Sequence, residues 1–112
     1  MSKNRMFIFL YVGVHKMCED MQGYLVNNMV DNLAVLRMKL QLKQVELADM
    51  VGISRQTLLA IEKKQRPLSW SIFLSLLFVF FINEETRSLL GVMGIYTDEF
   101  DSVIKLSKPS KF

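Results

Sequence analysis

The side chains best suited to reading a nucleic-acid base lie in one short segment near the middle of the chain. Arg55 and Gln56 are adjacent there. An arginine guanidinium forks onto O6 and N7 of guanine, and a glutamine amide onto N7 and N6 of adenine. Thr57 can reach a phosphate or a thymine methyl, and the apolar side chains after it can contact thymine. The predicted base-contact set is Arg55, Gln56, Thr57, Leu59 and Ala60.

Basic residues surround this segment, and acidic ones follow it. Residues 32–68 hold seven lysines and arginines against three acids, whereas residues 83–101 hold one arginine against five acids. The net charge of +3 permits nucleic-acid binding without demanding it. The basic run Lys63, Lys64 and Arg66 suits a phosphate backbone, the alternative being freely solvated charge.

Two short helical patterns must position these side chains, and they meet at a glycine. Gln44 to Val51 has a small residue, Ala48, where two helices would approach closely, and Gly52 lies where a positive φ would be useful. Ser54 is an N-cap residue for Arg55 to Lys63, which buries Leu58 and Ile61 and turns Leu59 and Ala60 outward. We therefore predict a helix-turn-helix over residues 44–63.

The segment resembles the DNA-binding domain of the phage Cro/repressor (XRE-type) family over about residues 32–82. The residues that carry the resemblance are Gln44, Leu47, Ala48, Gly52, Ile53, Ser54, Arg55, Gln56, Thr57, Ile61 and Glu62. The resemblance implies an all-α, lambda-repressor-like domain of five helices, here with an N-terminal extension and a C-terminal helical extension.

The resemblance also implies roles for single residues. Gln44 would donate to a phosphate, with Lys43 in place of the usual small N-cap residue and adding charge toward that phosphate. Arg37 would form a structural ion pair with Glu62, for which a solvated glutamate is the alternative. Family members commonly carry glycine near Lys64, so this loop should be stiffer or differently bent. The full predicted phosphate-contact set is Lys43, Gln44, Ser54, Lys63, Lys64 and Arg66.

The flanking segments divide the chain into three parts. Residues 1–18 are an extension whose structure is open: Met6 to Val14 could be a strand or a swapped arm, or the true start could be a later methionine. Residues 19–106 are one helical domain, with helices expected at 19–28, 30–40, 44–51, 55–63 and 69–83 and shorter ones after residue 83. Residues 107–112 are expected to be a flexible tail.

Residues 69–83 form the most apolar stretch, and a helix that is apolar all round must be covered all round. A homodimer interface is the simplest cover, and we expect Trp70, Phe73, Phe80 and Phe81 in it. The alternative cover is the N-terminal apolar run folding back on the same chain. A hydrophobic fraction of 51% and a mean hydropathy of +0.23 agree with a surplus of apolar surface.

Other classes of function receive little support. One histidine and one cysteine give no cluster with metal-ligand spacing, and no glycine-rich loop could hold a phosphate. We expect no catalytic residue, metal or cofactor. Cys18 is a small apolar filler, compatible with the cytoplasm. The apolar run at 6–14 is too short to span a bilayer, although membrane attachment through it or through 70–82 is a weaker alternative.

These observations predict a dimeric, sequence-specific transcriptional regulator, a repressor that binds double-stranded DNA at a near-palindromic operator in the cytoplasm. The alternative is an antitoxin or another protein-interaction module that contains a helix-turn-helix and binds a protein partner through residues 69–82.

Overall fold

The computed structural model describes the backbone of residues 2–106 and the side chains of residues 19–106. All regular secondary structure in this part of the chain is helical, and it contains no strand. Its seven helices are α1 (Ser2–Lys39), α2 (Gln44–Val51), α3 (Arg55–Glu62), α4 (Trp70–Ile82), α5 (Glu84–Arg87), α6 (Leu89–Val92) and α7 (Asp98–Ile104). The predicted all-α fold class is confirmed, whereas the tail at 107–112 lies outside the described residues.

The first helix is longer than the sequence suggested. We expected two helices with a break between residues 28 and 30, but α1 runs unbroken for 38 residues and includes Gly23. The buried residues of α1 recur at helical spacing on both sides of that glycine: Met21, Leu25, Met29, Leu33 and Leu36. Burying this stripe outweighs the ~1 kcal/mol by which glycine weakens a helix.

The N-terminal apolar run belongs to the same helix. Residues 6–14 are helical, so the strand that was one of the open possibilities is not formed. Extending an existing helix adds one hydrogen bond per residue and avoids the cost of nucleation. Because α1 contains no turn, the run does not fold back on α4 of its own chain. The side chains of residues 1–18, Cys18 among them, lie outside the described residues.

The core lies where α1 packs against α3 and α4 and where α2 meets α3. Besides the α1 stripe it contains Leu47, Ala48, Leu58, Ile61, Phe73, Leu76, Phe80, Leu90 and Phe100. Phe73 and Phe80 are fully buried inside one chain, so the expectation that they lie at a dimer interface is wrong. They fill the space between α1 and the C-terminal helices of the same chain. The apolar pattern had led us to expect that a second copy would cover them.

The other two residues expected at the interface differ in their surroundings. Trp70 is half-buried and stacks on Phe73, with ring centroids 4.7 Å apart. Phe100 of α7 meets the Trp70 ring edge-on at 5.8 Å. Trp70 therefore belongs to an aromatic cluster within the chain. Phe81 joins this cluster through Tyr96, with ring centroids 5.2 Å apart, but remains partly exposed.

The C-terminal helices close the domain. The shorter helices expected after residue 83 are present: α5 and α6 meet at Ser88, and α7 follows them. The Thr86 hydroxyl donates to the Phe80 carbonyl at 2.6 Å, which ties α5 to the end of α4. Thr97 caps α7 by accepting from the Phe100 amide at 3.1 Å.

Candidate nucleic-acid interface

The turn between α2 and α3 is built around Gly52. This residue has φ +80°, the left-handed conformation that glycine adopts most readily. The Ile53 amide donates to the Ala48 carbonyl at 3.0 Å, which satisfies one of the carbonyls at the end of α2. Ala48 is fully buried, as a small residue at a close approach of two helices should be. The turn thus fixes the direction in which α3 leaves α2.

Ser54 starts α3. Its hydroxyl accepts from the Thr57 amide at 3.0 Å and donates to the Thr57 hydroxyl at 2.9 Å. The N-cap role predicted for Ser54 is therefore visible. Because both partners of this hydroxyl are internal, any contact of Ser54 with phosphate would come through its backbone amide.

The first turn of α3 presents the two side chains expected to read bases. Arg55 and Gln56 are exposed, and neither side chain has a hydrogen bond or an ion pair with another residue of the described part. Thr57, Leu59 and Ala60 are half-buried. Leu58 and Ile61 face the core and anchor the opposite side of the helix. A guanidinium and an amide with free donors therefore stand together at the positive end of a helix.

A network at Glu62 links both helices of the turn to α1. Arg37 Nε donates to Glu62 Oε2 at 2.8 Å, and its Nη2 donates to Oε1 at 3.2 Å. Arg37 Nη1 also donates to the Leu42 carbonyl at 3.1 Å. From the start of α2, Gln44 Nε2 donates to Glu62 Oε1 at 3.1 Å. The Glu62 carboxylate thus joins the end of α3 to α1 and to the start of α2, and Arg37 in turn holds the loop after α1.

The Gln44 side chain is therefore already hydrogen-bonded within the protein. The family resemblance alone did not indicate this bond. Its amide nitrogen must face Glu62, because an ionised carboxylate can only accept. The second N–H of the same nitrogen remains for another acceptor. The predicted phosphate contact of Gln44 is compatible with this geometry.

The exposed cations lie beside the turn. Lys43, Lys63 and Arg66 are exposed. Lys64 is also exposed but its Nζ lies 2.7 Å from Asp31 Oδ1 on α1. Lys64 has φ +61°, so it holds a conformation that glycine would adopt without strain. Family members commonly carry a glycine near this position. Here Lys64 holds the backbone conformation that such a glycine would adopt.

Two stabilising contacts were not anticipated. The Lys43 amide donates to Glu46 Oε1 at 2.7 Å, which replaces part of the missing N-cap. A glutamate three residues after the cap position is the signal that could have shown this contact. The Asp31 to Lys64 pair joins residues far apart in the chain, and nothing in the local sequence marks it.

Among the described residues, no group of three or more His, Cys, Asp and Glu side chains could hold a metal ion. None of the described helices, α1 included, combines the length and the apolar character that crossing a bilayer requires.

The fold and this surface define a DNA-binding helix-turn-helix domain. A family model described as helix-turn-helix matches residues 33–75. The match covers the segment that resembles Cro/C1-type helix-turn-helix domains of the XRE family, and it confirms that resemblance. No curated protein and no solved structure gives a significant match to the chain.

Proposed function

We propose that the chain is a sequence-specific transcriptional regulator that acts as a repressor and binds a near-palindromic operator as a homodimer. The observation that supports this proposal most directly is the exposure of Arg55 and Gln56, without partners in the described chain, at the start of α3. The N-terminal residues of a recognition helix are the ones that meet base edges in the major groove. This protein would act on DNA in the cytoplasm.

Base recognition is assigned to the first two turns of α3. Arg55 would fork onto a guanine and Gln56 onto an adenine. Thr57, Leu59 and Ala60 are half-buried, so their side chains reach less far from the helix than Arg55 and Gln56. They would contact a thymine methyl or a phosphate that lies close to α3. The bidentate contacts of the first two residues would therefore carry most of the sequence preference.

Phosphate contacts are assigned to the flanks of the helix-turn-helix. Lys43, Lys63 and Arg66 are exposed cations, and Lys64 would have to leave Asp31 or share it with a phosphate. Gln44 would add the free N–H of its amide, and Ser54 its backbone amide. Such contacts hold the protein in register without selecting sequence.

A dimer with two recognition helices would place its half-sites ~34 Å apart, or a multiple of that distance. A small protein that occupies an operator excludes other proteins from the same DNA, which is the simplest route to repression. This assignment predicts an operator that overlaps a promoter.

Selection of bound sites from random duplexes tests the proposal. We expect an enriched motif with two-fold symmetry. In the selected site, Gln56→Ala should lose ~1–3 kcal/mol of discrimination at one position of each half-site and little elsewhere. Gln65→Ala is the matched control, because Gln65 is exposed but lies beyond α3. Failure to enrich any motif, at low salt as well, would refute sequence-specific binding.

A second candidate function rests on a different observation. Several large apolar side chains of α4 remain exposed, as they would on an antitoxin or another module that binds a protein partner. Purification of the chain alone separates the two functions. An interaction module without its partner should aggregate or be degraded, whereas the proposed regulator should elute as a uniform dimer.

A further inference from the structure

One face of α4 is apolar and is not covered by any described part of the chain. Leu74, Phe78, Phe81 and Ile82 are 37%, 64%, 40% and 53% exposed. Leu74, Phe78 and Ile82 are four residues apart, so they form one stripe along the helix. Residues 69–83 contain no charged side chain. We call these four residues the α4 stripe.

A groove of about 220 Å³ lies along the α4 stripe. It is lined by Leu74, Leu77, Phe78, Phe81 and Tyr96. A cavity of roughly 150 Å³ is large enough to hold benzene, so this groove has room for one aromatic side chain. The face therefore carries a protruding ring, Phe78, and beside it a hollow of matching size and polarity.

We propose that the α4 stripe is the two-fold interface of the dimer, in which α4 of a second copy packs antiparallel with the axis beside Phe78. Leu74 then lies opposite the partner's Ile82, and each Phe78 enters the groove of the other subunit. This inference deepens the proposed function, because it names the surface that joins the two subunits.

The composition of the face favours a second copy over a different protein. A two-fold interface brings each patch against itself, so it must be self-complementary. A charged face would oppose like charges, and this one contains none. Leu74 and Ile82 lie at equal distances on either side of Phe78, so an antiparallel pairing leaves no apolar residue of this row unmatched.

The amount of apolar surface agrees with a dimer core. A fully exposed aromatic side chain presents ~150–250 Å² and an aliphatic one somewhat less, so the two phenylalanines, Leu74 and Ile82, each partly exposed, together present roughly 300–400 Å². A stable interface buries about 800 Å² per partner, with an apolar centre and a polar rim. The α4 stripe supplies that centre, and the neighbouring Arg87, whose guanidinium lies 5.9 Å from the Phe81 ring centroid, begins the rim.

The first test is the association state of the full chain in sedimentation velocity and light scattering. We expect a dimer for the natural protein and at least a 100-fold weaker dimer for Phe78→Glu, because the substitution places two carboxylates at the axis. Val92→Glu is the matched control: Val92 is 88% exposed on α6, and this variant should remain dimeric. A monomeric natural protein at about 100 µM, or a Phe78→Glu variant that remains dimeric, would overturn the proposal.

A second test does not depend on the stability of that variant. In a Cys18→Ser background, Phe78→Cys should form an intersubunit disulfide under mild oxidation, because residues beside a two-fold axis face their own copies. Val92→Cys should not cross-link. If Phe78→Cys gives no covalent dimer while the protein is dimeric, the interface lies elsewhere.

DNA binding separates this inference from the proposed function. A monomeric Phe78→Glu variant should keep the base preferences of one half-site and lose only the added affinity of the full operator. If it is monomeric and the natural dimer recognises no sequence, the regulator proposal fails but the interface stands. If the natural protein selects a palindrome and Phe78→Glu binds it unchanged, the interface proposal fails.

Discussion

The carboxylate of Glu62 should be the most sensitive single group in the helix-turn-helix. It accepts hydrogen bonds from Arg37 at 2.8 and 3.2 Å and from Gln44 at 3.1 Å. Glu62→Gln keeps the size of the side chain and its bond with Gln44, but it removes the charge opposite Arg37. The guanidinium then remains in place without its counter-ion.

The exposure of the two side chains sets the expected magnitude. Arg37 is 14% exposed and Glu62 7% exposed. Removing one partner of a buried ion pair destabilises a protein by ~3–5 kcal/mol. Because some water reaches this pair and the Leu42 carbonyl still accepts from Arg37, we expect about 3 kcal/mol for Glu62→Gln.

Urea unfolding at pH 7, followed by circular dichroism and Trp70 fluorescence, measures this loss. Trp70 is the only tryptophan, and its ring stacks on Phe73 in the core. Glu46→Gln is the control, because Glu46 is exposed and its loss should change the free energy of unfolding by no more than ~1 kcal/mol.

A double variant tests the physical reason. Replacing both partners, as in Arg37→Met with Glu62→Leu, removes the unpaired charge and should recover most of the stability, since buried pairs gain little over apolar packing. A loss below ~1 kcal/mol for Glu62→Gln, or a double variant as unstable as the single one, would refute the argument.

Four further substitutions test the backbone strain at three positions and one hydrogen bond. Gly52→Ala should lose ~1–2 kcal/mol in the same unfolding assay, because φ is +80° but nothing lies within 4 Å of a new Cβ. Gly94→Ala should lose clearly more stability than Gly52→Ala, because its Cβ would also lie 2.6 Å from the Asn28 amide nitrogen. Equal losses of stability in the two variants would contradict this expectation. Lys64→Gly should relieve the strain at φ +61° and leave the free energy of unfolding within ~1 kcal/mol of its natural value. The same variant should bind DNA of every sequence more weakly and with a smaller salt dependence. Weaker binding to one sequence only would contradict a phosphate contact. Tyr96 donates to Asp101, which raises its pKa from 10.0 to about 12, so Tyr96→Phe should remove an absorbance step near pH 12 at 295 nm. The raised pKa means that, while Asp101 is ionised, this bond stabilises the fold fully up to about pH 10 and progressively less as the pH rises through 12. If the step that Tyr96→Phe removes lies near pH 10 and not near pH 12, the prediction is refuted.

The helix-turn-helix could be predicted because its signals are local. Gly52 and Ser54 mark the turn and the cap within three residues, and Leu58 and Ile61 give the buried face of α3 directly. Each of these residues acts on the backbone next to it, so the turn and the cap can be predicted without knowing any distant contact. The family match over residues 33–75 confirms the resemblance that these signals supported.

The flanking helices were less predictable because their signals depend on distant partners. A helix that is apolar on every side, such as α4, has no polar face to indicate which side is exposed. The sequence therefore could not show that Phe73 and Phe80 face inward and Phe78 outward. The covering element is α7, where Phe100 meets Trp70 thirty residues later. The break predicted near residue 29 was wrong, because the buried stripe of α1 continues through Met29 and local signals do not show that burial.

Stability and recognition are assigned to different residues: a pair that joins α1 to the end of α3, and the first two residues of α3. The groups that fix the position of α3, Arg37 and Glu62, are largely buried and bonded to each other. The groups proposed to meet bases, Arg55 and Gln56, are exposed and have no side-chain partner in the described chain. A substitution at the first pair should therefore change the fraction of folded protein and lower all DNA binding together, whereas a substitution at the second should change the preferred sequence at constant stability. Comparing unfolding and binding for one variant of each pair would reveal whether this separation holds.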